Sequence, residues 1–228
     1  MQTPSSTTET KPEVVNVYID GPNLLGAVSD LRAKRVWIDP FRLATLLVHT
    51  QTQRIGKVYY AETPYHGNLH NPDTFKKQQS FFGRIHRYIQ DGRMIHIKGN
   101  YRVDAVKVPS YIVKGLNEQV RPLVESLTWR KPIEKGGDVG LAVQMVRDAC
   151  LLQYDRAILV AADQDYAPAV NAVLGDLKKQ VSISYVQNTR RNAVALRNRC
   201  GQPYFIQITR RMIDACEFAE EEQLPREA

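Results

Sequence analysis

Residues 154–170, YDRAILVAADQDYAPAV, decide the fold of this chain. Ala157 to Ala161 forms a nearly continuous apolar run, which is typical of a central parallel strand that is buried on both faces. Asp163-Gln164-Asp165 follows the run, and Pro168 then favours the first turn of a helix. The segment therefore predicts a buried strand that ends in two carboxylates and leads into a helix.

Strand and helix signals alternate along the rest of the chain. Strands are predicted where apolar, β-branched runs are bounded by turn residues, at Val14 to Ile19, Ile55 to Ala61, Met94 to Lys98, Val181 to Val186 and Tyr204 to Ile208. Helices are predicted from caps, prolines and helical spacing, at Asp39 to His49, Asn71 to Asp91, Asp138 to Ala149 and Asn192 to Arg199. This alternation predicts an α/β fold with a central, mainly parallel sheet flanked by helices.

Composition predicts one domain, at residues 13–216, because a chain of 228 residues with 43% hydrophobic content can bury one sizeable core. Residues 1–12 are polar, lack the apolar segment of a signal peptide and are expected to be a disordered lead-in. Residues 217–228 form an acidic tail. Residues 99–133 alternate only weakly, so we treat them as a variable insertion. No apolar run approaches the roughly 18 residues of a membrane span.

The three cysteines, Cys150, Cys200 and Cys216, are far apart and include no C-x-x-C pair, so neither a disulfide framework nor a thiolate zinc site is indicated. A cytoplasmic location is expected. The chain also lacks the glycine-rich phosphate-binding motifs, the H-E-x-x-H motif and the G-x-S-x-G motif. The usual signals of dinucleotide binding, P-loop hydrolysis, zinc proteolysis and serine hydrolysis are therefore absent.

The net charge indicates a nucleic-acid partner. The chain carries +7 overall, and residues 1–216 carry 30 basic and 19 acidic residues. One stretch without any acid contains eight basic residues: Lys178, Lys179, Arg190, Arg191, Arg197, Arg199, Arg210 and Arg211. Arginine forks suit bidentate phosphate contacts, so this stretch is expected to bind the backbone of a nucleic acid.

Four carboxylates are expected to meet at one place. Asp20 follows the first strand, Asp163 and Asp165 follow the apolar strand described above, and Asp138 begins a helix. Ligands of open parallel sheets bind at the carboxyl ends of the strands, and clustered carboxylates repel each other unless a cation joins them. A hard divalent ion such as Mg²⁺ or Mn²⁺ takes oxygen ligands and works on phosphates. The pattern therefore favours metal-assisted cleavage of a phosphate ester.

Three segments, IDGPNLL (19–25), EKGGDVGLAVQMV (134–146) and residues 154–170, resemble the signature blocks of the NYN/LabA-like family of the PIN-domain ribonuclease superfamily. The resemblance spans most of Val14 to Ile208. It implies a PIN-like three-layer fold and a divalent-metal-dependent ribonuclease that hydrolyses phosphodiester bonds within an RNA strand, as an endonuclease does. By the same resemblance Asp20, Asp138, Asp163 and Asp165 are the catalytic metal-site acids, and Asn23 points into their pocket.

The expected substrate-binding residues are Asn23, Lys135, Arg190, Arg191 and Arg197. The expected partner is RNA, and assembly into a homo-oligomer stays open. One departure is Gln144, where many relatives carry a further acid. Two alternatives stay open: a catalytically weakened RNA-binding or regulatory module, and a small-molecule phosphatase or nucleotidase. Structural roles also compete, because Asp138 could cap its helix and Asp163 or Asp165 could cap the next one, whereas Asp20 is expected to have no cap to make before Pro22.

Overall fold

The computed structural model describes residues 11–65 and 71–218. The strands in these ranges are β1 (Glu13–Asp20), β2 (Gln53–Glu62), β3 (Met94–Lys98), β4 (Asn100–Lys107), β5 (Thr128–Lys135), β6 (Arg156–Val160), β7 (Gln180–Val186) and β8 (Tyr204–Ile208). The α-helices are α1 (Gly21–Arg32), α2 (Pro40–Leu47), α3 (Pro72–Gln90), α4 (Ser110–Lys114), α5 (Arg121–Ser126), α6 (Gly137–Cys150), α7 (Ala167–Asn171), α8 (Arg190–Asn198) and α9 (Arg210–Cys216).

Six strands form one parallel sheet in the order β3-β2-β1-β6-β7-β8. The α/β fold predicted from the alternation of strands and helices is therefore confirmed. Strands β2 and β3 follow one another on one side of β1, and β6, β7 and β8 follow one another on the other side. The strand order thus reverses between β1 and β6, and open α/β sheets bind their ligands at the carboxyl ends of the strands at such a point.

The sheet is covered by helices on both faces, because successive side chains of a strand point to opposite sides. In β1, Val17 and Ile19 pack into one core cluster, which includes Leu24 of α1 and Leu43 of α2. Tyr18 packs into the cluster on the other face, which contains side chains of α6, α7 and α8. These two clusters hold β1 rigidly at the centre of a three-layer molecule.

Helix α1 was not predicted from the sequence. The sequence predicts a break at Gly21-Pro22, but α1 begins there, because Asp20 caps the helix and Pro22 lies in its first turn, where a missing N–H costs nothing. Glycine is required at position 21 by a close approach: a Cβ there would lie 2.5 Å from the carbonyl oxygen of Ala61. Gly21 therefore lets α1 start against the end of β2. Helix α9 was also not predicted.

The segment expected as an insertion, residues 99–133, is mostly an antiparallel hairpin with two short helices at its tip. Strands β4 and β5 pair from Asn100 opposite Lys135 to Lys107 opposite Thr128, and α4 and α5 lie between them. The hairpin returns the chain to the start of α6. The last residues of β5 therefore lie at the edge of the sheet where β1 ends.

Two residues beyond the expected domain boundary at residue 216 also contact the domain. Glu217 forms an ion pair of 2.9 Å with Arg32 of α1, and Phe218 is buried against the core. The remaining tail, residues 219–228, and residues 1–10 of the expected lead-in lie outside the described residues. Within the described ranges, every helix is too short or too polar to cross a bilayer.

Candidate metal and nucleic-acid site

Asp20 lies at the carboxyl end of β1 and caps α1. Its Oδ1 accepts a hydrogen bond of 3.0 Å from the backbone N–H of Asn23, and its Oδ2 accepts one of 2.9 Å from the hydroxyl of Tyr166. The expectation that Asp20 has no cap to make is therefore wrong, since the helix begins one residue after it. The two bonds fix the carboxylate in one orientation.

Burial raises the pKa of Asp20 to about 6. The hydrogen bonds from Asn23 and Tyr166 lower that pKa, whereas the nearby charges of Glu134 and Asp138 raise it. A buried carboxylate that faces other carboxylates holds its proton more tightly, and a cation placed among them would release it. The pKa of Asp20 therefore lies between the value usual for an aspartate and neutral pH.

Asp163 and Asn23 connect the ends of the two central strands. Asp163 follows β6 and starts the 3₁₀ turn Gln164–Tyr166, where its side chain accepts a hydrogen bond of 3.1 Å from the backbone N–H of Asp165. Asn23 of α1 accepts a hydrogen bond of 3.2 Å from the backbone N–H of Ala162. Because β1 and β6 are paired neighbours, these bonds hold Asp20 and Asp163 beside one another.

Asp138 lies in the first turn of α6. The cap position belongs to Gly136, whose φ of 88° is in the left-handed region that favours glycine, so the alternative reading of Asp138 as the cap is wrong. The side chain of Asp138 is exposed and lines the same cleft as Asp20 and Asp163. The positive end of the α6 dipole favours a negative charge there.

These residues form a cleft of about 310 Å³ at the carboxyl ends of β1 and β6, which we call the acid cleft. It is lined by Asp20, Pro22, Asn23, Ala61, Glu134, Gly137, Asp138 and Asp163. The structure thus brings together three of the four predicted acids and Asn23 at the place where the strand order reverses. The fourth, Asp165, is exposed and lines a neighbouring groove of about 490 Å³ that also contains Asp138.

The oxygen donors of the acid cleft fit a hard divalent ion by chemistry, since Mg²⁺ and Mn²⁺ are bound by carboxylates. In the described part of the chain, no three His, Cys, Asp or Glu side chains are grouped closely enough to hold an ion as they stand. Mg²⁺ retains several waters and is commonly held through only one or two carboxylates, so a tight cage of protein ligands is not required.

Three residues of this region were not identified from the sequence. Glu134 accepts a hydrogen bond of 2.6 Å from the Thr63 hydroxyl and lines the acid cleft. Glu62 ends β2 and is buried, which raises its pKa to about 8. Tyr166 supports Asp20. The rule that identified Asp20 and Asp163, an acid at the end of a strand, could also have identified Glu62. The position of Glu134 instead depends on the long-range pairing of β4 with β5.

Gln144 does not line the acid cleft. Its Nε2 donates a hydrogen bond of 2.6 Å to Oδ1 of Asp148, which is fully buried and also accepts one of 2.7 Å from Tyr18. The helix turns about 100° per residue, so a position six residues after Asp138 faces the sheet instead of the cleft. The departure at Gln144 therefore changes an internal polar network and leaves the cleft acids in place.

Two of the predicted arginines lie at the same edge of the sheet as the acid cleft. Arg190 and Arg191 are exposed and begin α8, after the carboxyl end of β7. Ala193, in the next turn, packs on Ala162, which directly precedes Asp163, and α8 contacts the 3₁₀ turn that contains Asp165. The first turn of α8 is thus held beside the end of β6.

The other basic candidates are placed differently. Arg197 lies in the last turn of α8, where it stacks on Phe205 at 5.0 Å and donates to Gln202. Seven residues of helix span roughly 10 Å, so the structure does not bring Arg197 together with Arg190. Lys135 is exposed at the end of β5, two residues before α6. It lies next in sequence to Glu134 of the acid cleft.

Comparison with known proteins identifies the class to which this fold and site belong. The family model of the NYN domain matches residues 14–209, which is most of the chain. The chain therefore belongs to the NYN domain family, a branch of the PIN-like superfamily of nucleases, as the resemblance in sequence predicted.

Two individual proteins are similar. 6-hydroxy-3-succinoylpyridine 3-monooxygenase HspA of Pseudomonas putida (strain DSM 28022 / S16) is 36% identical over 87 residues, which is 38% of this chain and 28% of that protein. This chain thus matches little more than a quarter of that relative's length. A crystal structure of a protein of unknown function from Vibrio parahaemolyticus RIMD 2210633 has a TM-score of 0.53 at 15% identity, covering 91% of this chain and 97% of that one. The second likeness concerns the fold alone.

Proposed function

We propose that this protein is a divalent-metal-dependent ribonuclease that hydrolyses phosphodiester bonds within an RNA strand. The single observation that carries the proposal is the acid cleft, where Asp20, Asp138 and Asp163 meet between β1 and β6. Membership of the NYN family, within the PIN-like nucleases, supports the same reaction class. The name of the Pseudomonas relative denotes a different reaction, but the matched part is too small a share of that protein to carry its activity over.

The acids that would hold Mg²⁺ or Mn²⁺, one or two of them directly and the others through the waters of the ion, are Asp20, Asp138 and Asp163, with Glu134 beside them. When bound, such an ion lowers the pKa of its water and neutralises charge on phosphate oxygens. Asp165 supports Asp163 through its backbone N–H, and its own carboxylate lies at the rim, on the groove that adjoins the cleft. We propose that all four predicted aspartates take part, with Asp165 in this outer position.

The chain's own residues orient the reacting groups. Tyr166 and the backbone of Asn23 hold the two oxygens of Asp20, and the Asn23 side chain holds the end of β6. Groups that are fixed before the substrate arrives do not have to be ordered during the reaction. Arg190, Arg191 and Lys135 supply positive charge around a cleft that, without a cation, would repel phosphate.

The shape of the site supports cleavage within a strand. The acid cleft shares Asp138 with the groove along α6 and α7 on one side. On the other side it shares Pro22 and Glu134 with a hollow beside β2. A polymer can extend from the cleft into both neighbouring depressions, whereas a closed pocket would admit only a small phosphate ester or a strand end. This favours an endonuclease over the phosphatase alternative.

A second candidate is an RNA-binding module without catalysis. It is favoured by one observation, that the cleft acids among the described residues are not grouped closely enough to chelate an ion as they stand. Incubation of the purified chain with a circular single-stranded RNA tests the choice, because only an endonuclease can open a circle. We expect linear product with Mg²⁺ or Mn²⁺ and none with EDTA. Binding without any opening of the circle would favour the module.

We also propose a cytoplasmic location, which the three free cysteines support, because cytosolic proteins keep their thiols reduced.

A further inference from the structure

The hollow beside β2 adjoins the acid cleft and has a volume of about 340 Å³, which is in the range of small-molecule pockets. Its walls include Asp30, Arg35, Tyr65 and Tyr101. Two further wall residues, Pro22 and Glu134, also line the acid cleft. A strand with one phosphate in the cleft can therefore place the neighbouring nucleotide in this hollow, which we call the tyrosine hollow.

Flat side chains line the tyrosine hollow. The rings of Tyr65 and Tyr101 are 6.5 Å apart, between centroids, with 41° between their planes. The guanidinium of Arg35 lies 5.4 Å from the Tyr65 ring and 5.3 Å from that of Trp37, and it donates to the Tyr65 hydroxyl. Unpaired bases of RNA are recognised by stacking on tyrosine rings and on guanidinium planes. The walls thus suit an aromatic ligand.

The charges of the hollow indicate which part of a nucleotide enters it. The carboxylates of Asp30 and Glu134 stand against the guanidinium of Arg35, so a phosphate would meet net repulsion there. Carboxylates instead accept hydrogen bonds from N–H groups, as they do from the amino group of cytosine. The occupant that fits is an uncharged ring that carries an amino group. Uracil fits less well, because its one ring N–H lies between two carbonyl oxygens that a carboxylate would repel.

We propose that the tyrosine hollow binds one unpaired base with an exocyclic amino group, next to the phosphate held in the acid cleft. This subsite rests on the proposed RNA substrate, and it adds a preference for single strands that carry adenine, cytosine or guanine at one position. RNA is cleaved in the acid cleft, and the base bound in the tyrosine hollow determines which phosphodiester bond lies there.

Binding of fluorescein-labelled RNA octamers of adenine, cytosine or uracil, measured by anisotropy in EDTA, tests the subsite without relying on cleavage. We expect the adenine and cytosine octamers to bind the wild-type chain at least about fivefold more tightly than the uracil octamer. Tyr101→Ala is expected to weaken adenine binding about tenfold, and Tyr101→Phe to retain it, because stacking needs only the ring. Tyr111→Ala removes an exposed ring on α4, outside the hollow, and is the matched control.

Asp30→Asn removes an exposed carboxylate of the hollow with little risk to folding, and we expect it to reduce the preference for adenine over uracil several-fold. Equal affinities for the three octamers, or equal affinities of Tyr101→Ala and Tyr111→Ala, would overturn the subsite. If the preference is found but no metal-dependent cleavage occurs, the subsite stands and the nuclease proposal fails. If cleavage occurs without the preference, the reverse holds.

Discussion

The hydroxyl of Tyr166 donates a hydrogen bond of 2.9 Å to Oδ2 of Asp20, joining the turn after β6 to the end of β1. Both side chains are buried, and the bond helps to keep the pKa of Asp20 from rising above about 6. The carboxylate is thus half ionised at mildly acidic pH and fully ionised above neutrality. The ionisation of Asp20, and with it the affinity of Asp20 for a cation, therefore depends on a tyrosine that follows another strand.

Tyr166→Phe should therefore change the pH dependence of the protein. Loss of the hydrogen bond raises the pKa of Asp20 further, so protons compete with the cation up to a higher pH. We expect Mn²⁺ affinity to fall about tenfold at pH 6.5 and to approach the wild-type value at pH 8.5. Calorimetric titration with Mn²⁺ at several pH values measures this. An equal loss of affinity at both pH values would mean that Tyr166 does not act through the ionisation of Asp20.

Glu134→Gln should have the opposite effect on that pKa. The charge of Glu134 raises the pKa of Asp20, so its removal lets Asp20 ionise at lower pH, while one oxygen donor is lost from the cleft. We expect the acidic limb of the pH–rate profile to move to lower pH and the rate at its plateau to fall about tenfold or more. A profile that keeps its midpoint would contradict the placement of Glu134 beside Asp20.

Gln144→Glu should weaken the fold without adding activity. Gln144 donates to the buried Asp148, so a glutamate there places a second carboxylate against the first and removes its donor. We expect a loss of about 1–3 kcal/mol in the free energy of unfolding, measured with urea at pH 7.5. Gln144→Met, which removes the donor but adds no charge, is the control and should lose less. A gain in cleavage rate with glutamate would show that this position does reach the cleft.

Arg190→Ala and Arg191→Ala, combined, should weaken RNA binding in a salt-dependent way. Each phosphate contact by an arginine releases counterions, and for single strands each contributes about 0.7 to the slope of log affinity against log salt. We expect the slope to flatten by about 1.4. Arg54→Ala, at an exposed arginine near the amino end of β2, is the control. If both variants change the slope equally, the start of α8 is not a specific RNA contact.

Much of the fold could be predicted because its signals are local. The apolar run before Asp163, the cap and proline at Asp39-Pro40 and the same pair at Asn71-Pro72 are each read within a few residues, and α2 and α3 begin where they predict. Helix α1 was missed because Gly21-Pro22 was interpreted as a break, although proline also occupies the first turn of helices.

The hairpin of β4 and β5 could not be predicted, because its strands are paired across the intervening α4 and α5 and are partly exposed on both faces. The alternation along β4 is weak, because neither of its faces is fully buried. The position of Glu134 in the acid cleft depends on this pairing. Asp20, Asp163 and Asp138 were found because strand ends and helix starts place side chains by topology alone, whereas Glu134 and Tyr166 reach the site through tertiary contacts.

The measurement that tests the central claim most directly compares the wild-type chain with Asp163→Asn, both for cleavage of RNA with Mg²⁺ or Mn²⁺ and for RNA binding in EDTA. The substitution keeps the shape of the side chain but removes the charge that would hold the cation. We expect cleavage to fall by about two orders of magnitude or more, while binding without metal is retained or becomes tighter, because Asp163 then no longer repels phosphate. Absence of cleavage by the wild-type chain with either ion, or unchanged cleavage by Asp163→Asn, would contradict the account.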